Sequence, residues 1–396
     1  MTTRRLLLQA SAAIWPFSKA AAARRATPGV YAQLGIRPLI NFQGTMTTIG
    51  ASKMSEEVHA AMAEASREYV YLEEVKDKVG ARIAELAGTE AALVSSGAAG
   101  AIALGTYACL TGNDTARVRQ LPDLTGMKSE VVIQKSHRNG YDHAVRSAGV
   151  RIVEVDTKEE LVNALGPKTA MMYFLGGTSH DWDKEIRITL EDSLAACKQA
   201  GVPLLIDAAN MLPPWNNIRK LAAMKIDLIA VSGGKHIRGP QSSGILAGRK
   251  DLIQAAWLNS SPHSDSQGRG MKVNREEMIG LLVALERYAK LDFDALDRES
   301  ARQADYLIGE FRRIGLNAEK TPFDRTRRVH RVRVTWDQAR WKMTPRQVED
   351  LLRDGDPRIV VLRSGSDALE FTVFMNDPGD EKLAAKRMRE IFSKAG

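Results

Sequence analysis

Cysteine, aromatic residues and long apolar runs are all scarce in this chain. Its 396 residues include two cysteines, Cys109 and Cys197, both in helix-like apolar segments without metal-ligand spacing around them. A cysteine-based metal site is therefore excluded, and two buried free thiols are expected, with a bridge between them left open. Aromatic residues make up 6% of the chain, and no dense Lys/Arg run is interleaved with them, which argues against a nucleic-acid surface. No stretch approaches the roughly eighteen consecutive apolar residues of a membrane-spanning helix, so the mature chain is expected to have no membrane partner.

What remains is the balance of a globular protein, 44% hydrophobic and 26% charged. The length suits one large and one small domain. The net charge is +8, but Arg4, Arg5, Lys19, Arg24 and Arg25 all fall in the first 25 residues, and without them it is +3. Thr3-Arg4-Arg5-Leu6-Leu7-Leu8 sets a twin arginine before leucines, a modest apolar stretch reaches Phe17, and Ala20–Ala23 offer small residues for cleavage. Residues 1–25 thus read as a twin-arginine export leader, the alternative being a cytoplasmic protein with a basic N-terminus.

Beyond an arm rich in Gly, Pro and Thr, short apolar strands alternate with helices. Strands are expected at Glu90–Val94, Val131–Gln134, Arg151–Val155, Ala170–Leu175, Val202–Ile206, Ile226–Val231 and Ser243–Gly248, the last a returning strand. Helices are expected over 75–87, 157–165, 189–200 and 278–291. The alternation predicts an α/β fold with a mostly parallel sheet covered on both faces. From about Arg298 the pattern changes to a smaller α+β domain, with strands at 329–334, 359–362 and 369–373. The expected divisions are a leader (1–25), an N-terminal arm (26–60), a large domain (61–292) and a small C-terminal domain (293–396).

Ligands of such sheets lie beyond the carboxyl ends of the strands, where the chemistry-bearing residues of this chain also fall. Asp207 ends one strand, and Lys235 closes Ser232-Gly233-Gly234-Lys235 after the next. A pyridoxal phosphate enzyme needs this pair. The amine forms a Schiff base with the cofactor aldehyde, and the carboxylate keeps the pyridine nitrogen protonated so that the ring acts as an electron sink. Ser96, Gly97, Ala98 and Ala99 form a small-residue turn into a helix, suited to phosphate. His137 can stack on the ring, Asn210 can donate to its hydroxyl, and Ser232 can add a phosphate contact.

In this order the motifs resemble the fold type I pyridoxal phosphate enzymes. More narrowly, the chain is similar to the family of L-seryl-tRNA(Sec) selenium transferase (selenocysteine synthase) and its D-glucosaminate-6-phosphate ammonia-lyase relatives. The residues that carry the likeness are Leu34–Asn41, Ser95–Ala99, His137–Asp142, Ile206–Asn210, Ser232–Lys235 with Gly239-Pro240-Gln241, and Gly355-Asp356-Pro357. The resemblance implies pyridoxal 5'-phosphate as cofactor and a homo-oligomer whose subunits share active sites. The arm is too short for the tRNA-gripping domain of the selenium transferases, which makes tRNA an unexpected partner and the ammonia-lyase layout the better match. The expected substrate is an amino acid or amino-sugar acid, held by Arg363 and by Arg269 with Lys272. Lys235 is expected to act as base, with His180 and His236 as candidate proton carriers. Aminotransfer, β-replacement, or a non-catalytic binding role on the same fold are the alternatives.

The leader reading makes a direct prediction. Residues 1–30 fused to a reporter should export it, and changing both Arg4 and Arg5 to Lys should keep the reporter inside; continued export by that double variant would refute the leader.

Overall fold

The computed structural model describes residues 29–177, 187–321 and 328–394. The leader and His180 therefore lie outside the described residues. The chain divides into two compact units. The smaller holds residues 29–43, Ser300–Thr321 and the chain from His330 onward; the larger holds Gly44–Glu299 with residues 328–329. The segment expected as one arm over 26–60 is thus shared between the units, and the later boundary falls at Ser300, inside the helix Phe293–Arg313.

The first strand, β1 (Leu39–Asn41), belongs to the smaller unit. The next seven build the sheet of the larger unit: β2 (Ala91–Ser96), β3 (Glu130–Gln134), β4 (Arg151–Val155), β5 (Thr169–Leu175), β6 (Leu204–Asp207), β7 (Leu228–Ser232) and β8 (Ser243–Gly248). Their order is β2-β8-β7-β6-β5-β3-β4, and every pairing is parallel except those of β8. All seven strands read from the sequence are present, and the sheet is the mostly parallel one that the alternation implies.

These strands are apolar on both faces because both are covered. Val132, Met172, Ile206 and Ile229 enter one core, while their neighbours Val131, Met171, Leu205 and Leu228 enter the other. Cys197 belongs to the first core and Cys109 packs against the second, so the two thiols sit on opposite sides of the sheet, and both are free. Burial pushes the Cys197 thiol up to about 12.

The helix Gly97–Thr111 is buried along most of its length. It can lie so close to the sheet because Gly105 has no side chain: a β-carbon there would stand 2.4 Å from Leu205 Cδ1. Thr106 and Thr111 satisfy their buried hydroxyls on the carbonyls one turn back, Ile102 and Tyr107.

In the smaller unit the remaining strands are β9 (Asn317–Lys320), β10 (His330–Thr335), β11 (Arg358–Val360), β12 (Leu362–Ser364) and β13 (Ala368–Val373). An antiparallel sheet runs β12-β13-β10-β9, while β1 and β11 pair in parallel. The single strand expected over 359–362 is therefore two, because the chain changes partners at Val361, from β1 to β13. Thr344 caps the helix Pro345–Asp354 as its sequence suggests, exchanging hydrogen bonds with Gln347.

The packing of β8 gives a test of the large unit. A β-carbon on Gly244 would lie 2.3 Å from the carbonyl carbon of Gly97, with only backbone to yield. Gly244→Ala should therefore cost about 3 kcal/mol in urea unfolding; a wild-type midpoint and slope would show that the Gly97 turn moves aside freely.

Candidate active site

The carboxyl ends of β2, β3, β5, β6 and β7 lie along one edge of the sheet, and they carry Ser96, Gln134, Leu175, Asp207 and Ser232. β8 runs the other way and starts at this edge, with Ser243 opposite Ser96 and Gly244 opposite Ser232. Three sequence-predicted positions, Ser96, Asp207 and Ser232, are therefore brought to one edge by strand order alone.

Ser96 ends β2, and Gly97 opens the following helix at a φ of 70°, a conformation glycine adopts without strain. Ser95 Oγ donates to the Gly97 carbonyl at 2.9 Å. No side chain caps this helix, so the amides of Gly97, Ala98 and Ala99 start a buried helix and point toward the sheet edge. That is a suitable seat for a phosphate group.

Asp207 is 6% exposed at the end of β6. Burial drives its carboxyl up, while the Ala209 N–H on Oδ1 (2.9 Å), the Tyr173 hydroxyl on Oδ2 (3.0 Å) and the charge of Lys235 oppose that rise without cancelling it. Lys235 is half-buried in the turn after β7, and its charge bears on Asp207. Asn210 is half-buried in the turn after Asp207, and Ser232 is half-buried beside Gly244.

His137 is buried beyond β3, with its ring edge-on to Phe174 at 4.5 Å. Its Nδ1 accepts the Leu175 N–H at 3.2 Å, so the neutral ring carries its proton on Nε2. Burial pulls its pKa down to about 4. At neutral pH this histidine is an uncharged flat surface with one N–H, suited to packing and not to proton exchange. Its loop is clamped by Asp142, whose carboxylate takes Arg138 Nε at 2.6 Å and Arg146 Nε at 2.8 Å. Burial pushes the Asp142 carboxyl up, but the two arginines outweigh it and hold it below its ordinary range.

The remaining predicted residues are placed differently from one another. His236 is buried beside Lys235 in the same turn. Arg269 and Lys272 are exposed on the segment between the helices Lys250–Leu258 and Arg275–Tyr288, and Arg269 reaches Ser261 Oγ at 3.4 Å. Arg363 lies on β12 of the smaller unit, with Nε 3.7 Å from Glu349. Among the described residues no group of three His, Cys, Asp or Glu side chains is placed to hold a metal ion.

Two features escaped sequence reasoning. Tyr173 reads as one more core residue of β5, although a buried tyrosine usually finds a partner for its hydroxyl. The second is a clasp on the Lys235 turn from residues 47–53. Ser52 Oγ donates to the Gly234 carbonyl at 2.7 Å, Arg238 Nε to the Lys53 carbonyl at 2.6 Å, and Gln241 Nε2 to the Thr47 carbonyl at 3.0 Å.

The arrangement fits pyridoxal phosphate on observations of this chain: an uncapped buried helix start, a flat neutral ring, and a buried carboxylate within the field of a lysine. The fold and site define the class as fold type I pyridoxal phosphate-dependent enzymes. A serine palmitoyltransferase solved with its pyridoxal phosphate internal aldimine shares the fold at a TM-score of 0.58 and 16% identity, covering 90% of this chain and 88% of that one. Within that class the chain belongs to the SelA family, whose model, L-seryl-tRNA selenium transferase, matches residues 39–295. It is 30% identical over 387 residues to the D-glucosaminate-6-phosphate ammonia lyase of Salmonella typhimurium (strain 14028s / SGSC 2262), covering 93% of this chain and 99% of that protein. A solved D-glucosaminate-6-phosphate ammonia-lyase superposes with a TM-score of 0.81 at 29% identity, over 93% of this chain and 99% of its own. A 5'-C-glycyluridine monooxygenase-decarboxylase from a Streptomyces species is 29% identical over 381 residues, covering 92% of each chain.

His137 supplies a pH test. An imidazole with a pKa near 4 when folded and about 6.5 when unfolded stabilises the fold fully above pH 6.5. That share is lost as pH falls from 6.5 through 4, because the unfolded ring binds a proton first. Urea unfolding of the cofactor-free protein should show wild type losing on the order of 3 kcal/mol relative to His137→Gln across this window; parallel pH profiles would place the ring in water.

Proposed function

We propose that this protein is a pyridoxal phosphate-dependent lyase that releases ammonia from an amino acid or amino-sugar acid. The observation that carries the reading is a buried Asp207 at the end of β6 with Lys235 in the turn after the neighbouring β7, its charge bearing on that carboxyl. The likeness to an ammonia lyase over nearly the whole of both chains supports it.

Each residue has a task under this reading. The free amides of Gly97, Ala98 and Ala99, with Ser96 and Ser232, would hold the phosphate. His137 would pack its neutral ring against the cofactor, and Asn210 would reach the ring hydroxyl. Asp207 would hold a proton on the pyridine nitrogen. The bound cofactor supplies an electron sink for the substrate's amine-bearing carbon. Lys235 Nζ would hold the cofactor and would also be the base for the proton on that carbon. The clasp of Ser52, Arg238 and Gln241 fixes the turn from which Lys235 works. Arg363, Arg269 and Lys272 are the cations proposed for the substrate's carboxylate and for any further anionic group.

We further infer a homo-oligomer. Tyr69 and Tyr71 are 98% and 80% exposed in the single chain, with Val70 between them half exposed. Large apolar residues in a row at a surface call for a cover. The family model names a transferase, so β-replacement on the same residues is the competing reading.

One experiment addresses cofactor and reaction together. Purified wild type should show a visible cofactor band that borohydride fixes to the peptide holding Lys235, and Lys235→Ala should lose both. Supplied with candidate amino acids and amino-sugar acids, wild type should release ammonia without a keto-acid acceptor. Turnover only with an acceptor would make it an aminotransferase, and a protein that neither colours nor labels would be a binding protein on an inherited scaffold.

A further inference from the structure

We propose that Tyr173 is a positioning residue of this site, its hydroxyl holding the Asp207 carboxylate ionised and aimed at the ring nitrogen of the cofactor. The inference rests on the pyridoxal phosphate reading above and adds to it a residue in the middle of a strand.

Tyr173 is wholly buried in β5, with Ile133 of β3 and Leu205 of β6 as its register partners. A phenylalanine would fill this apolar layer equally well. The hydroxyl must therefore be explained by what it bonds, because a buried hydroxyl without a partner is costly. Its partner is Asp207 Oδ2 at 3.0 Å. The side chains of Tyr173 and Asp207 share a face of the sheet, since Leu175 lies opposite Asp207 and Tyr173 is two residues before it.

The direction of this bond is fixed. Burial and the neighbouring carboxylate push the Tyr173 phenol far above its ordinary range, so it stays protonated and always donates. The titratable groups that bear on the pair are few. Lys235, from the turn after β7, favours the ionised form of Asp207, and Asp142, in the loop after β3, adds to the rise of Tyr173. The Ala209 N–H supplies the other donor, on Oδ1. Against these stands the burial that drives Asp207 toward its neutral form.

Neutral Asp207 would defeat the site. A carboxylic acid offers the ring nitrogen a hydrogen bond but no counter-charge, and an unprotonated ring is a poor electron sink. A donor locked onto Oδ2 opposes this outcome, and leaves lone pairs on both oxygens facing the open strand ends.

The test uses Tyr173→Phe and Tyr173→Met, both without a hydroxyl, after thermal unfolding has shown which of them folds. Pyridoxal phosphate affinity is measured by fluorescence titration from pH 5.5 to 8.5. Relative to wild type, either variant should bind about tenfold more weakly at pH 7, with the acid-side midpoint of binding moved up by about one unit. The sign follows from the chemistry: without its donor Asp207 takes up a proton at higher pH, and the protonated acid holds the ring less well. The same titration with the deaza analogue, in which carbon replaces the ring nitrogen, should show no such loss. Wild-type affinity and midpoint in the variants would overturn the proposal, as would an equal loss for the analogue, which would mark Tyr173 as mere packing. Failure of wild type itself to bind pyridoxal phosphate would overturn the cofactor reading and this inference with it.

Discussion

A carboxylate held almost out of water at the end of a central strand is the constraint around which this molecule is arranged. Removing Asp207 from water is costly, and the cost is offset only in part by its two hydrogen bonds and a nearby ammonium. A group in that state is poised for a cationic partner. The strand order supplies the surroundings: β5 gives Tyr173 and, through the Leu175 amide, the orientation of His137, while β7 delivers Lys235. No one of these segments is near another in sequence, so the site exists only when the parallel sheet is complete. The two apolar layers that cover the sheet therefore carry the site's geometry as well as its stability.

Close backbone approach is the second condition. At Gly244 a β-carbon would strike Gly97, and at Gly234 it would lie 2.5 Å from the Cα of Gln241. The first contact sets the turn that starts the helix Gly97–Thr111; the second folds the Lys235 turn back on itself. Hydrogen bonds from Gly239 N–H to the Gly233 carbonyl and from Gly233 N–H to the Ser243 carbonyl close that turn from within, and the clasp from residues 47–53 closes it from outside. Under the proposed reading, a lysine that holds a cofactor and also serves as base would benefit from such a mount, because only its side chain would be left to move.

The sequence disclosed what depends on strand ends. Asp207, Lys235, Ser96 and His137 were legible because a residue of reactive type directly after an apolar run stands out, and the alternation of strands and helices fixed which edge they share. Tyr173 was not legible, since a tyrosine in Ala170–Leu175 has the same apolar face as its neighbours and only the fold shows what its hydroxyl meets. The clasp was hidden for another reason: Ser52 and Gly234 are 182 residues apart, a pairing no local pattern reports. Arg363, Arg269 and Lys272 stand out in the sequence mainly by charge, and charge on a surface is common. The first is on an edge strand of the smaller unit beside Glu349, and the other two are exposed on a loop.

What separates the possible reactions is therefore not the group of residues at the sheet edge. Buried aspartate, neutral histidine and mounted lysine would suit elimination, replacement and transfer equally, because all three would use the same electron sink that a bound pyridoxal phosphate supplies. The relatives differ in named activity at the same level of likeness, an ammonia lyase and a monooxygenase-decarboxylase resembling this chain at 30% and 29% identity. Reaction choice must then rest on groups outside this set, which hold the substrate's other substituents and decide which bond stands perpendicular to the ring. Arg269 and Lys272 are exposed on a loop of the larger unit, and Arg363 is on an edge strand of the smaller one. A fold that brings Asp207 and Lys235 to one sheet edge therefore does not by itself choose a reaction, and that choice falls to the side chains that meet the substrate.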